Sequence, residues 1–365
     1  RHLRMSRGLG DVYKRQVKQK WYNKNIGEYV MDGDLGKSKI VDIRNISFSP
    51  NNKIHKVPKL RKLKEWIFNA DTKWKDDELP KFLIEYGKNP PYLENLHSKG
   101  LKGDGVTVAI IDQPLALNHP EYDGKILKYK NFCEDSDESS MHGPAVTSLL
   151  VGKNIGVAPH ANVVYAAIPT WFCDANYAVQ ALEWIIEENK KLPKGEKIKF
   201  VSVSAGFGVD RIFRHSENWN TLVEKAQKNG LCIVECTEGN KFISSGYVDI
   251  ETKEFKYGFP SMPMRMKQIG NVHAPCSMRT VAESYDNKNF SYTYCGVGGL
   301  SWAIPYAVGL LAIGQQINKN MSAFDLKNIL IETASENECV VNPDKFVERV
   351  KTFSKESKEI VKEEK

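Results

Sequence analysis

Along this chain, unbroken apolar runs of five or six residues alternate with stretches in which apolar residues recur every three or four positions. Val106 to Ile111, Val163 to Ile168, Phe200 to Ser204 and Leu231 to Cys236 read as buried strands. Between them, Asn176 to Lys190 places Val179, Leu182, Ile185 and Ile186 on one helical face, and Trp219 to Asn229 gathers Leu222, Val223 and Ala226. The alternation predicts an α/β fold: a doubly wound, mostly parallel sheet with helices on both faces and its site at the carboxyl ends of the strands. Ser322 to Thr333 reads as a further helix, with Ser322 as cap and Asp325 three residues on. Lys59 to Ala70 also fits a helix, basic and amphipathic, with Leu60, Leu63, Trp66 and Ile67 on a stripe.

From Trp302 to Ile313 only Pro305 and Gly309 interrupt an apolar run, so this helix has no solvent face and belongs in the core, with Pro305 expected in its first turn. Ser301 stands at its mouth. The free amides of the first turn and the positive end of the helix dipole lie beside that hydroxyl, where an oxyanion is stabilised. Alone, Ser301 is an ordinary cap. A serine nucleophile needs a base and an orienting acid, and both types occur upstream. The run Val106-Thr107-Val108-Ala109-Ile110-Ile111 ends on Asp112, and His142 precedes a helix that starts with a proline, Gly143-Pro144-Ala145-Val146. Taken singly, Asp112 reads as a turn former and His142 as a satisfied histidine at a helix end.

In the order Asp, His, Ser, the three resemble the subtilisin-like serine peptidases, or subtilases. Gly299-Leu300-Ser301-Trp302-Ala303-Ile304-Pro305 looks like the family's G-T-S-M-A-x-P motif, His142-Gly143 with Val146 like its H-G-T-x-V motif, and Val108-Ala109-Ile110-Ile111-Asp112 like V-A-V-I-D. Ile233 to Asn240 resembles the strand ending in A-A-G-N, and Gly156-Val157-Ala158-Pro159 the turn after the histidine helix. The resemblance runs from about Asn89 to Ala334 and implies a three-layer α/β/α subtilisin-like fold. It implies a triad of Asp112, His142 and Ser301, with Asn240 as the oxyanion donor. Ser204-Ala205-Gly206, similar to the S-L-G segment, is implied as a backbone rail for an extended peptide, with Gly239 also at the substrate.

The departures are informative. Asp112-Gln113-Pro114 replaces D-S-G or D-T-G, exchanging a flexible glycine for a ring that fixes φ, so the carboxylate is expected to point differently. Leu300, Trp302 and Tyr306 stand where Thr, Met and His are usual, and the indole bulk is expected to narrow the cleft. The reading is a serine endopeptidase acting through an acyl-enzyme on peptide or protein substrates; the alternative is a catalytically silent protein that holds peptides.

The domain reading follows. Residues 1–16 resemble translated adapter sequence and are set aside; 17–88 form an N-terminal extension, more a docking element than an inhibitory segment; 89–335 are the catalytic domain; 336–365 are a charged tail that reads as a solvated, frayed helix. The chain of 365 residues has a formal charge of +7, but residues 1–16 carry five basic residues and one acid, and without that +4 only +3 is left. Such a balance gives no argument for nucleic acid or membrane partners. Gly36-Lys37-Ser38 suggests a phosphate loop, but Met31 stands where its first glycine belongs. The seven cysteines lack paired C-x-x-C spacing and so give no zinc signature; as free thiols they suggest a cytoplasmic location, with secretion as the alternative. No cofactor is expected, and no calcium at Leu150 to Ile155, where many subtilases carry a calcium loop, because that stretch has no carboxylate; calcium sites elsewhere stay open.

Overall fold

The computed structural model describes residues 40–42, 65–68, 84–133, 138–236, 242–250, 252–260, 262–263, 272–284, 287–296, 298–334 and 339–363. At its centre, five parallel strands lie in the spatial order β4-β5-β3-β6-β7. They are β3 (Thr107–Asp112), β4 (Ile126–Asn131), β5 (Asn162–Ala167), β6 (Phe200–Val203) and β7 (Cys232–Glu235). The chain starts at β3 in the middle, fills one side, then crosses to the other. The carboxyl end of β3 therefore lies at the point where the winding reverses, the usual place for a site in such sheets.

Both sheet faces are covered, which is why the strands read as apolar runs without alternation. Val108, Ile110, Val163 and Tyr165 face one core, shared with α2 (His142–Val151) and α5 (Leu300–Ile317). Ala109, Ile111, Val164 and Val203 face a second core, closed by α3 (Asn176–Lys191) and α4 (Ser216–Lys228). A short helix, α1 (Glu94–Ser98), precedes β3. After α5 comes α6 (Ala323–Glu332), where Ser322 Oγ accepts from Asp325 N at 3.0 Å, the expected cap.

Helix α5 is long and apolar enough to cross a membrane by length and composition, but 78% of it is buried in the fold. It packs closely because Gly309 and Gly314 leave room: a Cβ at Gly309 would come within 2.6 Å of Val157, and one at Gly314 within 2.7 Å of Phe346. The final helix, α7 (Pro343–Glu363), begins differently from the expected solvated tail. Phe346, Val347 and Val350 are buried in the first core, so the dense Lys and Glu pattern conceals a docked face at its start.

Two smaller sheets flank this layer. One has the order β10-β9-β8-β11, from β8 (Ile243–Val248), β9 (Phe255–Phe259), β10 (Met262–Pro263) and β11 (Val272–Pro275). The other joins β1 (Ile40–Asp42) and β2 (Glu65–Phe68) to β13 (Ser291–Cys295) and β12 (Arg279–Glu283). The helix expected over Lys59 to Ala70 is thus corrected in its described part, 65–68, which pairs antiparallel with β13 and parallel with β1. Trp66, Ile67 and Phe68 are all buried, and three consecutive buried residues suit a strand covered on both faces better than a helix with one apolar stripe. Leu60, Leu63, residues 1–16 and Gly36 to Ser38 lie outside the described residues.

Candidate active site

Asp112 is the last residue of β3, and its carboxylate turns towards the first residue of α2. His142 Nδ1 lies 2.6 Å from Asp112 Oδ1, and both side chains are buried. The pair fixes the tautomer: Nδ1 carries the proton given to the carboxylate, leaving Nε2 as the acceptor. Gln113-Pro114, expected to point the carboxylate differently, does not turn it from His142. Gln113 N instead donates to the same Asp112 oxygen at 2.8 Å, and Gln113 Nε2 donates to Thr170 Oγ1 at 2.6 Å. Tyr165 OH donates to Gln113 O at 2.5 Å, so a hydroxyl from β5 braces the turn after the acid. Burial and the nearby Asp112 charge hold that phenol well above its ordinary pKa, so it stays a donor.

Two local devices bring α2 this close. Gly143 has no room for a side chain, since a Cβ there would lie 2.4 Å from Gln113 O and 2.7 Å from Pro114 O. Ser140 Oγ accepts from His142 N at 3.2 Å and Gly143 N at 3.3 Å, serving the first amides of the helix. Sequence reading overlooked Ser140, although a serine two residues ahead of a helix is a readable start signal. Tyr165 had no such signal, because its partner is brought to it only by the sheet.

Ser301 is the second residue of α5, after Gly299 as the cap, so its amide is among those with no acceptor in the helix. Pro305 sits in the second turn, where the sequence had suggested the first. Its missing N–H is the one that would bond the Ser301 carbonyl. Ser204 Oγ supplies the missing donor, reaching Ser301 O at 2.9 Å. In return Ser301 Oγ donates to Ser204 O at 3.0 Å. A proline inside the helix thus explains why the segment after β6 is tied to the serine.

The structure therefore joins Asp112 to His142 and Ser301 to Ser204, with the serine proton on the Ser204 carbonyl and not on His142. Ala205 O is occupied by Cys236 N at 3.0 Å, and Gly206 O by Val209 N at 3.3 Å. Asn240 and Gly239 lie outside the described residues. Two neighbours come into view only in three dimensions. Cys236, just after β7, lies beside Ser301; burial raises its thiol pKa, the charges of Glu235 and Asp112 push the same way, and the Ser301 side chain only partly offsets them. A thiol held protonated is unreactive. Trp302 lies with its ring centroid 5.2 Å from that of His142, at an interplanar angle of 41°. It is 6% exposed, so the bulk expected in the cleft is folded onto the imidazole.

Tyr306, also a departure, is buried and donates to Pro91 O at 2.6 Å. No group of three or more His, Cys, Asp or Glu side chains arranged to hold a metal ion occurs among the described residues. Chemically, the arrangement offers an acid-oriented imidazole, a hydroxyl at a helix N-terminus, and the backbone amide of Ser301 at that same terminus.

Comparison with known proteins extends this geometry. Residues 103–263 match the profile of the Subtilase family. The chain is 24% identical over 238 residues to the major intracellular serine protease of Bacillus subtilis, an overlap of 59% of this chain and 70% of that protein. It is 28% identical over 136 residues to subtilisin-like protease 2 of Trichophyton equinum, covering 36% of this chain but only 30% of the fungal one. In fold it is similar to the A-subunit of the AB5 toxin from E. coli, with a TM-score of 0.56, 19% identity, and coverage of 72% of this chain and 99% of that one.

Proposed function

Residues 103–263 match the Subtilase family, and on that ground we propose that the chain is a member of it, a serine endopeptidase whose triad is Asp112, His142 and Ser301. The observation that carries this reading is the 2.6 Å bond between Asp112 and His142, made despite the unusual residues after the acid. In the reaction, Ser301 rotates from the Ser204 carbonyl to His142 Nε2, a passage between staggered wells. His142 takes its proton as the hydroxyl attacks a peptide carbonyl and returns it to the leaving amine, while Asp112 holds the tautomer and stabilises the imidazolium. Water then releases the acyl group.

The same rotation frees the Ser204 carbonyl, which can accept a peptide N–H on the segment from Ser204 to Gly206. The Ser301 amide and Asn240 receive the oxyanion; for Asn240 the support is the resemblance of Ile233 to Asn240 to the family's strand. The catalytic domain is taken as residues 89–335. Seven free thiols suit a reducing compartment, as does the name of the intracellular Bacillus relative, and we place the protein in the cytoplasm on that ground.

One observation favours a rival reading, a peptide holder that does not cut: the Ser301 hydroxyl is bonded to Ser204 and not to the base. Digestion of a denatured protein, with product termini read by mass spectrometry, separates the two. The endopeptidase yields new amino and carboxyl termini, Ser301→Ala yields none, and Asn240→Ala loses about 10²- to 10³-fold in rate. Intact substrate recovered from folded wild-type protein supports the holder.

A further inference from the structure

The indole of Trp302 belongs to the same helical turn as Ser301, yet its contact is with the other partner of the proton transfer. Three features fix it there. It is buried, its ring lies 5.2 Å from the imidazole, and its Nε1 donor makes no hydrogen bond. A buried donor left unpaired costs about 1–3 kcal/mol, so packing and not a polar anchor determines where this ring lies. Gly298 makes the packing possible: a Cβ there would be 1.6 Å from Cys276 O and 2.8 Å from indole Cδ1. Gly298 N in turn donates to Ser277 Oγ at 3.1 Å, which holds the loop that presses on the indole.

Among the described residues the imidazole has one polar anchor, the bond from Nδ1 to Asp112, and a single bond leaves a ring free to pivot about it. A wall on its face removes that freedom. We propose that Trp302 is a positioning residue for the base, holding the His142 ring on Asp112 in the one attitude that leaves Nε2 for the serine proton. The proposal rests on the proton-transfer reading given above. Because the nucleophile and the wall sit one residue apart in α5, any shift of that turn moves both together and keeps their relation to the imidazole. Reacting groups displaced by about 1 Å lose on the order of 10²-fold in rate, which sets the size of the effect.

The test compares the full chain with Trp302→Phe and Trp302→Ala, by phosphonylation rate at Ser301 and by kcat and KM on a peptide. Trp302→Ala is expected to lower phosphonylation and kcat by about 10- to 100-fold with KM within about twofold, because an orienting effect is felt in the transition state and not in binding. Trp302→Phe, which keeps a ring face, is expected to stay within about threefold of wild type. Undiminished kcat in Trp302→Ala overturns the proposal, as does a Phe variant as slow as the Ala variant with KM rising in step. A readout that needs no turnover is the downfield Nδ1–H proton resonance of His142. In Ser301→Ala it is expected to be sharp, and in the double variant with Trp302→Ala broadened by exchange with water; equal sharpness in both overturns the proposal. Wild-type protein that is not phosphonylated at Ser301 overturns the endopeptidase reading, and the resonance then decides the role of Trp302 by itself.

Discussion

A buried carboxylate from outside helix α2 stands at each of its ends, and the two are used in opposite ways. At its start, Asp112 is 2% exposed and bonds one backbone amide and one imidazole whose other nitrogen has no hydrogen bond among the described residues. Past its end, Glu121 is 1% exposed and is saturated. It accepts from Asn154 N at 2.6 Å, Ile155 N at 2.9 Å, Asn154 Nδ2 at 3.1 Å and Tyr292 OH at 3.1 Å. Every donor to Glu121 is a group that keeps its proton, so that carboxylate fixes a turn. The partner of Asp112 is an imidazole, and in the proposed reaction that carboxylate organises chemistry. Burial alone does not distinguish the proposed catalytic acid from a structural one; the identity of its donors does.

The largest expected break in this comparison is Asp112→Asn. An amide there favours the wrong tautomer of His142, and kcat is expected to fall by about 10⁴-fold. Thermal unfolding is expected to move much less than in the next variant, and a kcat within tenfold of wild type would remove Asp112 from its role. Glu121→Ala should do the reverse. It strands the amides of Asn154 and Ile155, and a loss of about 3 kcal/mol in denaturant unfolding is expected, with kcat on a peptide unchanged. A variant as stable as wild type would show that the turn holds without its carboxylate.

The smallest expected effect sharpens the same contrast through pH. His119, beside Glu121, accepts from Glu121 N through Nδ1 and donates to Ser291 O through Nε2, so it is held neutral. Burial lowers its pKa from 6.5 to about 4, against a weaker opposing effect of the bond to Ser291. The unfolded chain therefore takes up this proton first, and stability declines as pH falls from about 6.5 to about 4, then levels off. The decline attributable to His119 is as much as about 3 kcal/mol. His97 and His273 are also lowered by burial and act in the same direction. His119→Leu is thus expected to flatten, and not to abolish, the acid slope of urea-unfolding free energies; an unaltered slope would contradict the assignment.

Much of this was legible in the chain, and for a physical reason. Strands buried on both faces must be apolar throughout, so β3, β5, β6 and β7 appear as runs, and the residue ending β3 is placed at the sheet edge before any coordinates are known. Asp112, His142 and Ser301 stood out as candidates because each adjoins such an element. What could not be read depends on contacts between distant segments. The stripe over Lys59 to Ala70 fits a helical period, yet pairing with β13 made its described part a strand. Nothing near Pro305 reveals that Ser204, 97 residues from Ser301, supplies the donor that the proline removes. The anchoring of α7 by Phe346, Val347 and Val350 was hidden in the same way by the charges around it.

The central claim is that Ser301 is an activated nucleophile, and fluorophosphonate labelling of the folded full chain with mass mapping of the adduct tests it most directly. The expected result is a single adduct on Ser301, absent from Ser301→Ala and strongly slowed in Asp112→Asn. Folded wild-type protein that takes up no label, or labels equally well after Ser301→Ala, would contradict the account.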